Sequence, residues 1–149
     1  MRFLVTGGAG FIGSHLCERL IQEGHCVTCL DNFNTYYNPA IKRRNGQPLL
    51  SHPCFQLVQG DILQWKALKS LFEKGDFEVV VHLAARAGVR PSIRKPRLYQ
   101  KVNVEGTVNL LELSSRLGID KFILASSSSV YGKNTKVPFS ETDPVDFPL

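Results

Sequence analysis

The sequence predicts an α/β fold, a doubly wound parallel sheet with helices on both faces. Two observations predict it. Short apolar runs at 2–5, 26–30, 55–58, 78–82 and 121–125 alternate with helical patterns at 11–22, 62–73 and 97–117. That rhythm belongs to a parallel sheet whose crossovers are helices. Val79-Val80-Val81 and Phe122-Ile123-Leu124 are continuous apolar runs rather than alternating ones, as strands covered on both faces should be. The 149 residues make one domain, 1–149, with chain enough for a core.

The first strand, Phe3-Leu4-Val5, runs into glycines at 7, 8, 10 and 13, and the amphipathic residues Ile12, Leu16, Leu20 and Ile21 follow. Strand, tight turn and helix in that order let backbone N–H groups and a helix N-terminus hold a pyrophosphate. Gly7 allows the turn, Gly10 lets the backbone approach the phosphates, and Gly13 permits close helix–strand packing. A ligand-free turn would use the same glycines, but a second feature accompanies them. Asp31 ends the second strand, 18 residues beyond Gly13. An acid there can accept hydrogen bonds from the adenosine ribose and repel a 2′-phosphate, which favours NAD over NADP; it can also cap a turn. Gly24 and Gly118 close the first and last helices.

The connection from Asp31 to Pro53 is long, with a short helix near 40–44, and loops of this length are usually functional or mobile. After the third strand comes Gly60-Asp61-Ile62, where Asp61 either bonds an adenine amino group or caps the next helix. His82-Leu83-Ala84-Ala85 ends the fourth strand with small residues that let backbone approach a cofactor; His82 reads better as packing than as a base. Pro96 suits the start of the long helix, whose apolar residues Leu98, Val102, Val108, Leu111 and Leu117 recur at helix-like intervals. The fifth strand ends in Ala125-Ser126-Ser127-Ser128-Ser129-Val130-Tyr131-Gly132. Ligands of open α/β sheets sit beyond the carboxyl ends of strands, so these hydroxyls can contact nicotinamide and substrate, or form an ordinary Ser-rich loop. There is no Gly-x-Ser-x-Gly elbow of a serine hydrolase. The tail beyond Val130 has prolines at 138, 144 and 148 and no periodic pattern.

Composition narrows the partners. Net charge is +5, pI about 9.2 and mean hydropathy −0.08. Arg86, Arg90, Arg94, Lys95, Arg97 and Lys101 form one basic stretch and Lys42-Arg43-Arg44 another. Neither an aromatic-rich RNA motif nor a DNA-reading helix goes with them, so nucleic acid is not expected and an anionic small ligand or solvated surface is. No apolar run approaches the roughly 20 residues of a membrane span. The N-terminal apolar run is short and has no cleavage pattern, which leaves the cytoplasm as the default location. Cys26-Val-Thr-Cys29 has the spacing of a metal or redox pair, but in a strand its thiols point to opposite faces. Cys17, Cys26, Cys29 and Cys54 read as reduced thiols, and no metal is expected.

Thr6-Gly7-Gly8-Ala9-Gly10-Phe11-Ile12-Gly13, Gly60-Asp61-Ile62, His82-Leu83-Ala84-Ala85, Asn103-Val104-Glu105-Gly106-Thr107 and the stretch from Ser126 to Gly132 together resemble the extended short-chain dehydrogenase/reductase family. The fold it implies is Rossmann-type. The branch most similar is the sugar-nucleotide 4-epimerases, and Asp31-Asn-Phe-Asn-Thr-Tyr-Tyr37, Arg86-Ala-Gly-Val-Arg90 and Ser128-Ser-Val-Tyr-Gly-Lys133 look most like UDP-glucuronate 4-epimerases. The resemblance covers the whole chain. It implies an isomerase that oxidises a UDP-sugar at C4 with NAD and returns the hydride to the other face. A dehydratase or decarboxylase shares the first step. It assigns Gly7, Gly10, Phe11, Ile12 and Gly13 to the pyrophosphate, Asp31 and Asn32 to the ribose, and Asp61 and Ile62 to the adenine. Leu83, Ala84 and Ala85 become backbone contacts to the cofactor, and Asn103 a nearby structural or binding residue. Ser127 matches the catalytic Ser/Thr; Ser127, Ser128, Ser129 and Arg90 face the sugar. The complete enzyme would be a homodimer.

The family's base is the Tyr of a Tyr-x-x-x-Lys motif. Four residues after Tyr36, Tyr37, Tyr99 and Tyr131 stand Ala40, Ile41, Asn103 and Thr135, so none supplies it. The reading is of a front portion, truncated before the last strands and the substrate domain, that binds NAD but is inactive alone. A dinucleotide-binding module without catalysis and a truncated reading frame are the alternatives.

Overall fold

In a computed structural model of the protein, which describes residues 1–146, the predicted sheet is present. Its strands are β1 (Arg2–Thr6), β2 (Cys26–Asp31), β3 (Phe55–Gln59), β4 (Val79–His82) and β5 (Lys121–Leu124). All pair in parallel in the order β3-β2-β1-β4-β5. Every strand lies within one residue of its predicted bounds, because continuous β-branched and aromatic runs cut off by Gly, Asp or Ala leave little choice of register. The chain winds outward from β1 to β3, then returns to lay β4 on the other side of β1. The carboxyl ends of β1 and β4 therefore form the topological switch point where such sheets bind ligands.

Helices cover both faces. On one, α1 (Phe11–Gln22) buries Cys17, Leu20 and Ile21 against Phe3, Val5, Val27, Cys29 and Val81. On the other, α3 (Trp65–Gly75) and α6 (Gly106–Arg116) bury Leu68, Phe72, Leu110 and Leu113 against Leu4, Leu30 and Val80. Between β2 and β3 lies α2 (Pro39–Gly46), capped by the Asn38 carboxamide, which accepts from the Ala40 N–H at 3.0 Å. After β4 come two short helices, α4 (Val89–Arg94) and α5 (Pro96–Gln100).

The structure departs from the sequence reading in four places. The third helix starts at Trp65 rather than 62, because Asp61 folds the chain into a turn first: its Oδ1 accepts from Leu63 N–H and its carbonyl from Gln64 N–H, both at 2.9 Å. The long helix is α5 and α6 joined by a π-turn over Lys101–Glu105. The widened turn rotates the phase, so the buried face is Gly106, Leu110 and Leu113, while Val108, Leu111 and Leu117 stand half exposed. In β5 the run expected to be covered on both faces is not: Ile123 and Leu124 are 55% and 52% exposed at the edge of the sheet. A 3₁₀ turn, Ser128–Tyr131, forms where no pattern was read. Pro148 lies outside the described residues. No helix among them is long and apolar enough to cross a membrane.

Candidate functional site

A cleft of about 350 Å³ opens at the switch point. Of the cofactor residues expected from sequence, Gly7, Gly10, Phe11, Ile12, Gly13, Asp31, Asn32, Asp61, Ile62, Leu83, Ala84 and Ala85 all line it. Asn103 does not. The glycine loop is built tightly. Gly7 has φ +69°, and a Cβ on it would sit 2.8 Å from the Ala84 amide nitrogen. A Cβ on Gly13 would sit 2.4 Å from the Gly7 carbonyl. The first amide of α1 to find a carbonyl is Ser14, bonded to Gly10 at 2.9 Å. The N–H groups of Phe11, Ile12 and Gly13 therefore remain at the helix N-terminus, with the positive end of its dipole, for an anion to take.

Asp31 is buried. Its Oδ1 accepts from Phe33 N–H and from Lys42 Nζ, each at 2.9 Å. Its Oδ2 is buried with no hydrogen-bond partner among the described residues. A buried carboxylate oxygen without a donor costs free energy unless a ligand supplies one, and a ribose hydroxyl is a donor of the right kind. Asp31 thus turns the chain and keeps one buried oxygen without a donor, on a residue that lines the cleft. Beside it, Asn32 Nδ2 donates to Asp61 Oδ2 at 2.9 Å, tying the ends of β2 and β3 together at the far end of the cleft. The donor-less Asp31 oxygen and the glycine cradle fit an adenine dinucleotide.

His82 is a fixed structural group. Thr6 Oγ1 lies 2.7 Å from its Nδ1 and Thr107 Oγ1 2.9 Å from its Nε2. The Thr107 hydroxyl donates to the Asn103 carbonyl at 2.7 Å, so it can only accept from the ring, and Nε2 carries the proton. Nδ1 then accepts from the Thr6 hydroxyl, which itself accepts from Ala84 N–H at 3.2 Å. Only the neutral ring satisfies this one-way chain, and desolvation pulls the His82 pKa down to about 4. Asn103 works from the other side. Its Oδ1 accepts from Arg86 N–H at 2.8 Å and its Nδ2 donates to the Arg86 carbonyl at 2.9 Å, clamping the segment that follows Ala85.

The sugar-facing residues expected from sequence lie beyond the cleft's lining. Ala125 lines it; Ser127, Ser128 and Ser129 follow, exposed. Ser127 caps the 3₁₀ turn, its Oγ accepting from Ser129 N–H and donating to Ser129 Oγ, both at 3.2 Å. Arg90 is exposed on α4. The cysteines are all free: Cys29 lies under Gly8 with its thiol pushed up by the neighbouring Cys17 and by burial, while Cys26 is half-buried at the start of β2.

Sequence reasoning missed the wall opposite the glycine loop. Asn34, Tyr36, Tyr37 and Lys42 form it. Lys42 looked like part of a solvated basic run, yet it is buried while Arg43 and Arg44 are exposed. The usable signal was Asn38-Pro39, a cap and first-turn proline, with Lys42 and Gly46 one turn apart on a single face.

The sequence model of the GDP-mannose 4,6 dehydratase family matches residues 4–148. The chain belongs to this family. It is 50% identical to UDP-glucuronate 4-epimerase 3 of Arabidopsis thaliana over 146 residues, 97% of this chain and 34% of that protein. The solved structure of UDP-glucuronic acid 4-epimerase from Bacillus cereus, in complex with UDP-glucuronic acid and NAD, superposes with a TM-score of 0.86 at 40% identity, covering 97% of this chain and 45% of that one. The UDP-Glc/GlcNAc 4-epimerase of Campylobacter jejuni gives 0.88 at 31% identity, covering 99% and 43%. The chain thus spans about a third to under half the length of the relatives it matches.

Proposed function

We propose that this chain is the NAD-holding portion of a UDP-sugar 4-epimerase, with UDP-glucuronate as the sugar nucleotide. The observation that carries the cofactor reading is the buried Asp31 Oδ2, left without a donor on a residue lining a cleft whose other end is a glycine cradle with free helix amides. The unsatisfied oxygen accepts from a ribose hydroxyl as the ligand seats, and a 2′-phosphate would bring charge against a carboxylate, so NAD is taken over NADP. Asp61 and Ile62 flank the adenine, and the backbone of Leu83, Ala84 and Ala85 lies along the nicotinamide half. NAD supplies a hydride acceptor for C4 of the sugar. The sugar reading is supported by the 50% identity to a UDP-glucuronate 4-epimerase. In it, Ser127 bonds the reacting hydroxyl, and Ser128, Ser129 and Arg90 meet the glucuronate carboxylate.

The chain as given contributes no Tyr-x-x-x-Lys, so it binds cofactor without turning over sugar, and the working homodimer belongs to the longer protein. NADH and NADPH titrations followed by fluorescence test the cofactor reading. NADH binding at least tenfold tighter than NADPH, and weakened at least tenfold by Asp31→Ala, is expected. Equal affinity for the two, or an Asp31→Ala variant that binds as well, would refute it. Epimerisation of UDP-glucuronate by the 149-residue chain would refute the assignment of the base elsewhere.

A further inference from the structure

We propose that residues 32–38 form a strap across the dinucleotide cleft and that Tyr36 is its latch, so that cofactor enters and leaves only when the latch opens. The inference rests on the cofactor reading above. The strap leaves the end of β2 and its tip is bonded to the segment beyond β4. Because β1 lies between β2 and β4 in the sheet, that bond spans two strand spacings, roughly 10 Å, above the glycine loop. A dinucleotide running from Asp31 to Leu83–Ala85 passes beneath it.

The latch is a single contact. Tyr36 O–H donates to the Ala87 carbonyl at 2.9 Å, across 51 residues of sequence. The same carbonyl accepts from Tyr99 O–H at 2.6 Å. Tyr99 is buried and Tyr36 is 47% exposed, so the first holds Ala87 in place and the second is the partner free to leave. Asn103 fixes the adjoining Arg86 backbone, and the Arg86 guanidinium lies over the Tyr36 ring at 5.8 Å. The next residue, Tyr37, reaches over the glycine loop, its hydroxyl 3.8 Å from the place a Gly10 Cβ would occupy.

The strap is stiff and hinged at buried ends. Asp31 Oδ1 accepts from Phe33 N–H, Asn32 Oδ1 from Asn34 N–H, and Asn34 Oδ1 from Tyr36 N–H, a run of three side-chain turns at 2.9 to 3.1 Å. Phe33 is buried with φ +50°, and Asn38 is bonded into the cap of α2. Between these anchors the Tyr36 hydroxyl donates to the Ala87 carbonyl, with the Tyr99 hydroxyl as its neighbour on the same oxygen. Opening the strap between these anchors therefore breaks the Tyr36–Ala87 hydrogen bond and the Arg86–Tyr36 and Lys42–Tyr37 cation–π contacts, while Phe33 stays in the core.

A latch has a kinetic signature that a ligand contact lacks. Cutting it speeds uptake and release together, since both pass through the open strap. Stopped-flow NADH fluorescence on the unmodified chain, Tyr36→Phe and Tyr36→Ala measures both rates, alongside equilibrium titration. Removing the hydroxyl should raise each rate about fivefold, the effect of one ordinary hydrogen bond, with Kd within about twofold. Tyr36→Ala, which also loses the Arg86 contact, should raise them further. Melting of Tyr36→Phe should fall by only a few degrees, since the folded state loses that one hydrogen bond and no packing. If the chain binds NADH and Tyr36→Phe changes neither rate, or changes release alone, the latch is overturned and the cofactor reading stands. If the unmodified chain binds no NADH, both fall.

Discussion

Protonation of His82 should destabilise this domain from within. The hydrogen-bond chain Ala84 N–H to Thr6 to His82 Nδ1, and His82 Nε2–H to Thr107 to the Asn103 carbonyl, runs in one direction only. A proton on Nδ1 would face the Thr6 hydroxyl with a second donor and orphan its hydrogen in a fully buried site. The folded pKa of about 4 lies below the ordinary 6.5. The unfolded chain therefore binds the proton first, and stability is lost as pH falls from about 6.5 towards 4. With those two values the loss between pH 7.5 and pH 5 is about 2 kcal/mol. Glu78 and Asp143 have their carboxyls drawn below the usual range by the Arg2 backbone N–H and by Lys136, so they titrate below this window. Urea denaturation at pH 7.5 and pH 5 measures the loss, and His82→Gln is the comparison. Gln keeps an acceptor and a donor but cannot titrate. It should be less stable at pH 7.5 by about 1 kcal/mol, the worth of imperfect hydrogen bonds, and should lack the 2 kcal/mol acid component. An equal acid loss in both proteins would refute the reasoning.

Lys42→Met leaves the Asp31 carboxylate buried without its cation, and breaking a buried pair from one side costs about 3–5 kcal/mol; a urea-measured loss under about 1 kcal/mol would show the pair to be dispensable. Gly13→Ala places a Cβ against two backbone groups, 2.4 Å from the Gly7 carbonyl and 2.6 Å from the Gly8 Cα, so α1 must shift and NADH titration should show binding weakened more than tenfold. The half-exposed Ile123 and Leu124 on the edge strand β5 should drive self-association of the 149-residue chain; sedimentation should show species above monomer, shrinking in Ile123→Lys.

The strands and the cofactor half of the cleft were legible in the sequence because local constraints fix them. A glycine that must take φ +69°, or one with no room for a Cβ, admits no other residue, and a parallel strand buried on both faces must be apolar throughout. What escaped was tertiary. Lys42 sits among Arg43 and Arg44 with nothing in composition to distinguish it; only the turn of α2 points it at Asp31. Tyr36 and Tyr99 meet at Ala87 from 51 and 12 residues away, a pairing no local pattern records. The π-turn at Lys101–Glu105 inserts its extra residue into an unbroken helical rhythm, so the recurring Val108 and Leu111 pointed away from the core rather than into it.

The site also divides by how well the chain supports it. Everything proposed to touch the cofactor hangs from β1, β2, β3 and β4, and is held by buried or half-buried partners: Asp31 by Lys42, Asp61 by Asn32, Ala84 by Thr6 and His82, while Asn103 holds the Arg86 backbone just beyond Ala85. The groups proposed to touch the sugar hang from β5, and Ser127, Ser128 and Ser129 bond chiefly to one another in an exposed turn. Catalytic hydroxyls need fixed positions, and an exposed serine turn at a sheet edge does not fix them. The proposed cofactor contacts and the proposed sugar contacts should therefore respond separately to mutation. The proposed cofactor contacts rest on packing within β1 to β4; the proposed sugar contacts rest on an exposed turn beside the edge strand β5.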